Sequence, residues 1–142
     1  RQDEPTRKII SAGGKTVLVL AEPNREREMV CRYLRHVGFE IVTATTLEDG
    51  RRLILNSPPH VAIIEDKTIR GNLEDVVREL REPITTRTLP IILLSTKAFV
   101  FDIESSLRAG VDRCLVKPVR LHTLGETCDV LIKGDSGDRE FP

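Results

Sequence analysis

The chain has 142 residues, of which 39% are hydrophobic and 31% are charged, as expected for one globular domain. Its 22 Lys and Arg residues balance 22 Asp and Glu residues, so net charge would attract neither a nucleic acid nor an anionic membrane. Three scattered cysteines form no C-x-x-C pair, and no apolar run approaches the roughly 20 residues that span a bilayer; we therefore predict a cytoplasmic protein without a metal cluster, a disulfide framework or a membrane span.

The two ends of the chain differ in composition from its middle. Residues 1–14 are polar and end in two glycines, which predicts a flexible N-terminal segment. Residues 134–142 are rich in Gly, Asp and Ser, which predicts a tail or a linker. The sequence therefore predicts one folded domain at 15–133.

In chain order, strand patterns alternate with helix patterns along this domain. The first strand is the apolar run 17–20, and the helix after it can be capped by Asn24 and ended by Gly38. A weaker strand at Glu40–Ala44 precedes a second helix, for which Thr45 and Glu48 resemble a capping box.

The same alternation continues to the end of the domain. Apolar runs at 61–64 and 91–94 predict two more strands buried on both faces, and 113–116 predicts a fifth. Helical spacing predicts three further helices, around 73–80, 102–109 and 121–131. Five strand–helix units predict an α/β fold with a five-stranded parallel sheet, doubly wound in the order 2-1-3-4-5.

Polar side chains follow four of the five predicted strands. Ligands of such sheets bind outside the carboxyl ends of the strands, where the strand order reverses, so we expect these side chains to lie close together. The residues at these four strand ends are Ala21 with Glu22 after strand 1, Glu65 with Asp66 after strand 3, Ser95 after strand 4, and Lys117 with Pro118 after strand 5.

Five segments of the predicted domain carry a family resemblance when they are taken together and in order, namely 17–22, 32–40, 59–65, 89–95 and 109–118. Over residues 15–133 they resemble a response regulator receiver domain of two-component signalling. The resemblance implies that two acids after strand 1 hold Mg²⁺ and that an aspartate after strand 3 takes a phosphoryl group from a histidine kinase. It further implies that a hydroxyl after strand 4 and a lysine after strand 5 contact this group.

Carried over by position, the resemblance assigns the switch hydroxyl to Ser95 and the phosphate-contact lysine to Lys117, which precedes Pro118. Cys114 occupies the place where many receivers carry a switch aromatic residue. The acidic pair falls on Ala21 and Glu22, so one acid is missing.

The phosphoacceptor position falls on Glu65, with the adjacent Asp66 as the alternative. Glu22 and Glu65 remain as metal ligands, and we expect no cofactor beyond weakly bound Mg²⁺, since this ion demands strict octahedral geometry. The extra methylene of Glu65 displaces its carboxylate from the reactive position, which should slow phosphoryl transfer by orders of magnitude. We expect this carboxylate to contact Lys117 and Ser95 instead, partly mimicking an aspartyl phosphate.

These departures predict a phosphorylation-independent regulatory module rather than an enzyme. Its output would be contact with a protein partner or a second copy through the face of helix 4, strand 5 and helix 5, which begins with the apolar segment 99–101. Core packing should take one or two of those three residues. The partner would be either a second copy or a fused output domain, and residues 134–142 suit a linker to such a domain.

The alternative is a working receiver that is phosphorylated on Asp66 with Mg²⁺ and a histidine kinase. An enzyme on the same fold is disfavoured, because residues 21–24 offer no glycine-rich phosphate loop and no D-x-D pattern follows a strand.

Overall fold

The computed structural model describes residues 13–97 and 99–134. The flexible segment predicted at 1–14 and the tail predicted at 134–142 lie outside the described residues, except for Gly13, Gly14 and Gly134. Strands and helices alternate throughout the described part. In chain order they are β1 Thr16–Leu20, α1 Arg25–His36, β2 Glu40–Ala44, α2 Leu47–Asn56, β3 Val61–Glu65, α3 Leu73–Leu80, β4 Ile91–Ser95, α4 Val100–Arg108, β5 Arg113–Val116 and α5 Leu121–Ile132.

The strands of the described part form one parallel sheet in the order β2-β1-β3-β4-β5, which confirms the predicted fold class. Alternate residues of the central strands supply two separate cores, because successive side chains of a strand point to opposite faces. Val17 and Val19 of β1 pack in the core beneath α1 and α5, whereas Leu18 and Leu20 pack in the core beneath α2 and α3.

Helix α4 contributes little to either core. None of the residues Val100–Arg108 is buried. Phe99, Val100 and Phe101 are 79%, 68% and 71% exposed, so the expectation that the core takes one or two of them is wrong. The physical reason is that the helix begins at Val100, two residues earlier than its periodicity indicated, and its first turn lies outside both cores.

The helix caps lie close to their predicted positions, with one difference. Asn24 caps α1 by accepting a hydrogen bond from the backbone N–H of Arg27 at 2.8 Å. The cap of α2 is Thr46, which accepts from the N–H of Asp49 at 3.1 Å, and not Thr45. The capping pattern is thus shifted by one residue. Within 13–97 and 99–134, no helix is both long and apolar enough to cross a bilayer.

Candidate functional site

The carboxyl ends of β3, β4 and β5 bring three of the predicted site residues together. Glu65 is the last residue of β3 and is only 3% exposed, and Ser95 is the buried last residue of β4. Lys117 follows β5 directly, and its backbone N–H donates to the carbonyl oxygen of Ser95 at 2.8 Å. The peptide bond between Lys117 and Pro118 is cis.

The ammonium group of Lys117 lies between two carboxylates. It donates to Oε2 of Glu65 and, at 3.0 Å, to Oε1 of Glu26. Burial by itself lowers the pKa of Lys117, but the hydrogen bonds and charges of Glu65 and Glu26 together raise it above its ordinary value. The lysine is therefore a stably charged partner for the buried Glu65.

The hydroxyl of Ser95 has a different partner from the one expected. It donates to Oδ2 of Asp66 at 3.1 Å, and the same oxygen accepts from the backbone N–H of Thr96 at 3.1 Å. Asp66 begins a 3₁₀ turn after β3, which the Thr68 hydroxyl closes by donating to the carbonyl oxygen of Glu65 at 2.7 Å. The hydrogen bond between Ser95 and Asp66 replaces the expected contact between Ser95 and Glu65, because the turn brings Asp66 towards β4.

The acidic side chain that the region after β1 brings to Lys117 belongs to Glu26, which the sequence pattern did not single out. Ala21 is buried, and its carbonyl oxygen accepts from Nη1 of Arg27 at 2.9 Å, whereas Glu22 is exposed. Glu26 instead reaches Lys117. A signal for it was present, because a cap at Asn24 places Glu26 in the first turn of α1, beside the carboxyl end of β1.

The acidic residues at this edge of the sheet offer few ligands to a magnesium ion. Ala21 offers no side-chain oxygen, and one oxygen of Glu65 is held by Lys117. Glu65 Oε1 and Asp66 Oδ1 are buried without a hydrogen-bond partner, and they are the oxygens that a weakly bound Mg²⁺ would use, with water completing its octahedral shell. Among the described residues no group of three His, Cys, Asp or Glu side chains is placed to hold a metal ion, so the weak site expected at Glu22 and Glu65 gains no third ligand.

Cys114 lies in β5, half-buried against the core beneath α2 and α3. Burial raises the pKa of its thiol, and a hydrogen bond with Ser106 partly offsets this effect. The thiol is therefore protonated at neutral pH. A small, neutral side chain thus stands at the position that the resemblance gives to a switch aromatic residue.

Searches against known proteins agree on one kind of domain. The chain is 25% identical to chemotaxis protein CheY1 of Helicobacter pylori over 118 residues, which are 82% of this chain and 95% of CheY1. It is also 25% identical over 130 residues to the phosphate regulon transcriptional regulatory protein PhoB of Pseudomonas aeruginosa, covering 91% of this chain and 57% of PhoB. No family model matches the chain.

These similarities support a response regulator receiver domain. Solved structures agree in fold. A response regulator from Chloroflexus aurantiacus superposes with a TM-score of 0.77 at 22% identity, covering 84% of this chain and 98% of that one. The receiver domain of a Pseudomonas aeruginosa sensor histidine kinase, solved with magnesium in its active-site cleft, gives 0.71 at 22% identity, covering 85% and 99%.

The chain thus spans little more than half the length of PhoB and nearly all of CheY1. Its fold agrees with the prediction drawn from the alternating strands and helices. The magnesium ion belongs to that kinase receiver.

Proposed function

We propose that this domain is a regulatory receiver-like module of two-component signalling whose state does not depend on phosphorylation, and that it acts through contact with a protein partner. The observation that carries the proposal is the ion pair between Glu65 and Lys117. The resemblance gives these two positions to the phosphoacceptor and to the lysine that contacts the phosphoryl group. Here the two side chains pair with each other through Oε2 of Glu65.

The neighbouring carboxylate supports the same conclusion. In the family, the switch hydroxyl turns inward to bond the phosphoryl group, and here the Ser95 hydroxyl bonds the carboxylate of Asp66. Asp66 and Glu65 therefore share between them the hydroxyl and the lysine that a phosphoryl group would otherwise engage. These two carboxylate contacts support a domain that is held in one conformational state, or whose state a protein partner changes.

The test is exposure of the intact protein to acetyl phosphate and Mg²⁺, followed by intact-mass measurement. We expect less than about one per cent labelling, because a displaced carboxylate and a missing metal ligand each cost orders of magnitude in rate. Labelling of the unaltered protein that disappears in Asp66→Asn would overturn the proposal.

That result would favour a second candidate function, a receiver phosphorylated on Asp66 by a histidine kinase. One observation favours this candidate. Asp66 and Ser95 line a groove of about 540 Å³ beside α4, and Asp66 as a whole is partly exposed, whereas Glu65 is buried. Lys117 contacts Glu65 and Glu26, however, which leaves Asp66 without the lysine that the family chemistry uses.

The partner surface that we propose is formed by α4, β5 and α5. The feature that supports this surface is the exposed apolar turn formed by Phe99, Val100 and Phe101, which contact with a protein partner would bury. The partner is a second copy of the chain, a histidine kinase, or an output domain attached to it. The length of PhoB beyond the matched region supports an attached domain as one form of this proposal.

For the homodimer form, replacing Phe99 and Phe101 by serine should weaken self-association at least about tenfold, because aromatic anchors dominate interface energies. Sedimentation velocity over a concentration series measures this. Met29→Ser, which changes an exposed apolar residue of α1, serves as the control. A dimer unaffected by the double substitution, or an unaltered protein that stays monomeric, would contradict the homodimer form.

A further inference from the structure

Lys117 connects three elements through its two carboxylate partners. The lysine follows β5, Glu65 ends β3 and Glu26 lies in the first turn of α1. The three charges sum to −1. The positive charge of the ammonium group is therefore more than neutralised, and the net negative charge of the pocket repels an anion.

The two carboxylates differ in how they are held. The side chain of Glu65 is 4% exposed and that of Glu26 is 43% exposed, while Lys117 between them is 12% exposed. Glu65 therefore contacts the lysine from the protein interior, and Glu26 covers it from the solvent side. An anion arriving from solvent meets Glu26 first.

Local structure holds Glu26 in this place. Asn24 caps α1, and this fixes the first turn against the end of β1. The adjacent Arg27 does not serve Glu26, because its guanidinium donates to the carbonyl oxygen of Ala21 at 2.9 Å and to the Thr45 hydroxyl at 3.4 Å. The Glu26 carboxylate is thus available for Lys117.

We propose that Glu26 is an anion-excluding residue, which occupies Lys117 from the solvent side independently of Glu65 and so denies the pocket to oxyanions such as phosphate. The inference rests on the proposed function and adds a second residue to it. Loss of Glu65 alone does not open the pocket, because Glu26 still pairs with the lysine. Both carboxylates must be neutralised before Lys117 can bind an anion.

The experiment is titration of each variant with inorganic phosphate at low ionic strength, followed through the backbone amide signal of Lys117 in ¹H–¹⁵N spectra. Neither the unaltered protein nor Glu65→Gln should show saturable binding. The double variant Glu26→Gln/Glu65→Gln should bind phosphate at least about tenfold more tightly than the matched double variant Glu28→Gln/Glu65→Gln. Glu28 lies on the same helix turn, is exposed, and gives the same change in net charge.

Two results would overturn the role of Glu26. In the first, Glu65→Gln alone binds phosphate as tightly as the Glu26→Gln/Glu65→Gln variant; Glu65 is then the sole occupant of the lysine, and the proposed function stands. In the second, the double variant, shown to be folded by its dispersed spectrum, binds no better than the Glu28 control. Phosphoryl labelling of the unaltered protein is a separate measurement and bears on the proposed function alone.

Discussion

Replacing Lys117 by methionine is expected to lower the free energy of unfolding by about 3 kcal/mol, because it leaves the carboxylate of Glu65 buried and unpaired. The side chain of Glu65 is only 4% exposed, so water cannot take the place of the ammonium group without a rearrangement. A loss of this size is a large part of the roughly 5–15 kcal/mol that stabilises a domain. Urea unfolding at neutral pH measures it.

Two variants separate the lost charge pair from the lost side chain. Arg52→Met removes an exposed basic residue that pairs with the exposed Asp49 at 3.0 Å, and it should change stability by less than about 0.5 kcal/mol. Glu65→Leu/Lys117→Met replaces both buried charges by apolar groups and should recover most of the loss. A Lys117→Met variant as stable as the unaltered protein would contradict the buried ion pair.

Replacing Arg81 by alanine is expected to cost about 2–3 kcal/mol, although this residue lies far from the site. Its guanidinium donates to the carbonyl oxygens of Leu89 and Gly110 at 3.0 and 2.9 Å, and to Oδ2 of Asp112 at 2.9 Å. The same Asp112 oxygen accepts from the N–H of Ile91 at 2.8 Å. One side chain thus ties the end of α3 to the segments that enter β4 and β5.

The control for this prediction lies on the same helix. Arg78 pairs with Asp75 across an exposed turn, and Arg78→Ala should leave the free energy of unfolding almost unchanged, because surface ion pairs contribute little. Since Arg81 lies at the amino ends of the strands, Arg81→Ala should leave the Lys117 amide signal unchanged. Equal effects of the two substitutions on thermal unfolding would refute the distinction.

Much of the fold could be predicted from the order of residues. β2 and β5 lie where their weaker patterns placed them, and the strand order follows from alternating strands and helices with right-handed crossovers. The start of α4 was placed less well. The apolar residues 99–101 predicted a turn that is partly buried in the core, whereas the packing of the helix leaves all three exposed.

For the site, the strand pattern was enough to predict that Glu65, Ser95 and Lys117 lie at one edge of the sheet, because parallel strands end at a common edge. Which side chains pair with each other could not be predicted from that pattern. Glu26 is distant in sequence from Lys117 and reaches it only through the docking of α1, and Asp66 takes Ser95 only through the 3₁₀ turn after β3. Strand ends follow from local periodicity, whereas partners within hydrogen-bonding distance depend on how helices and turns dock.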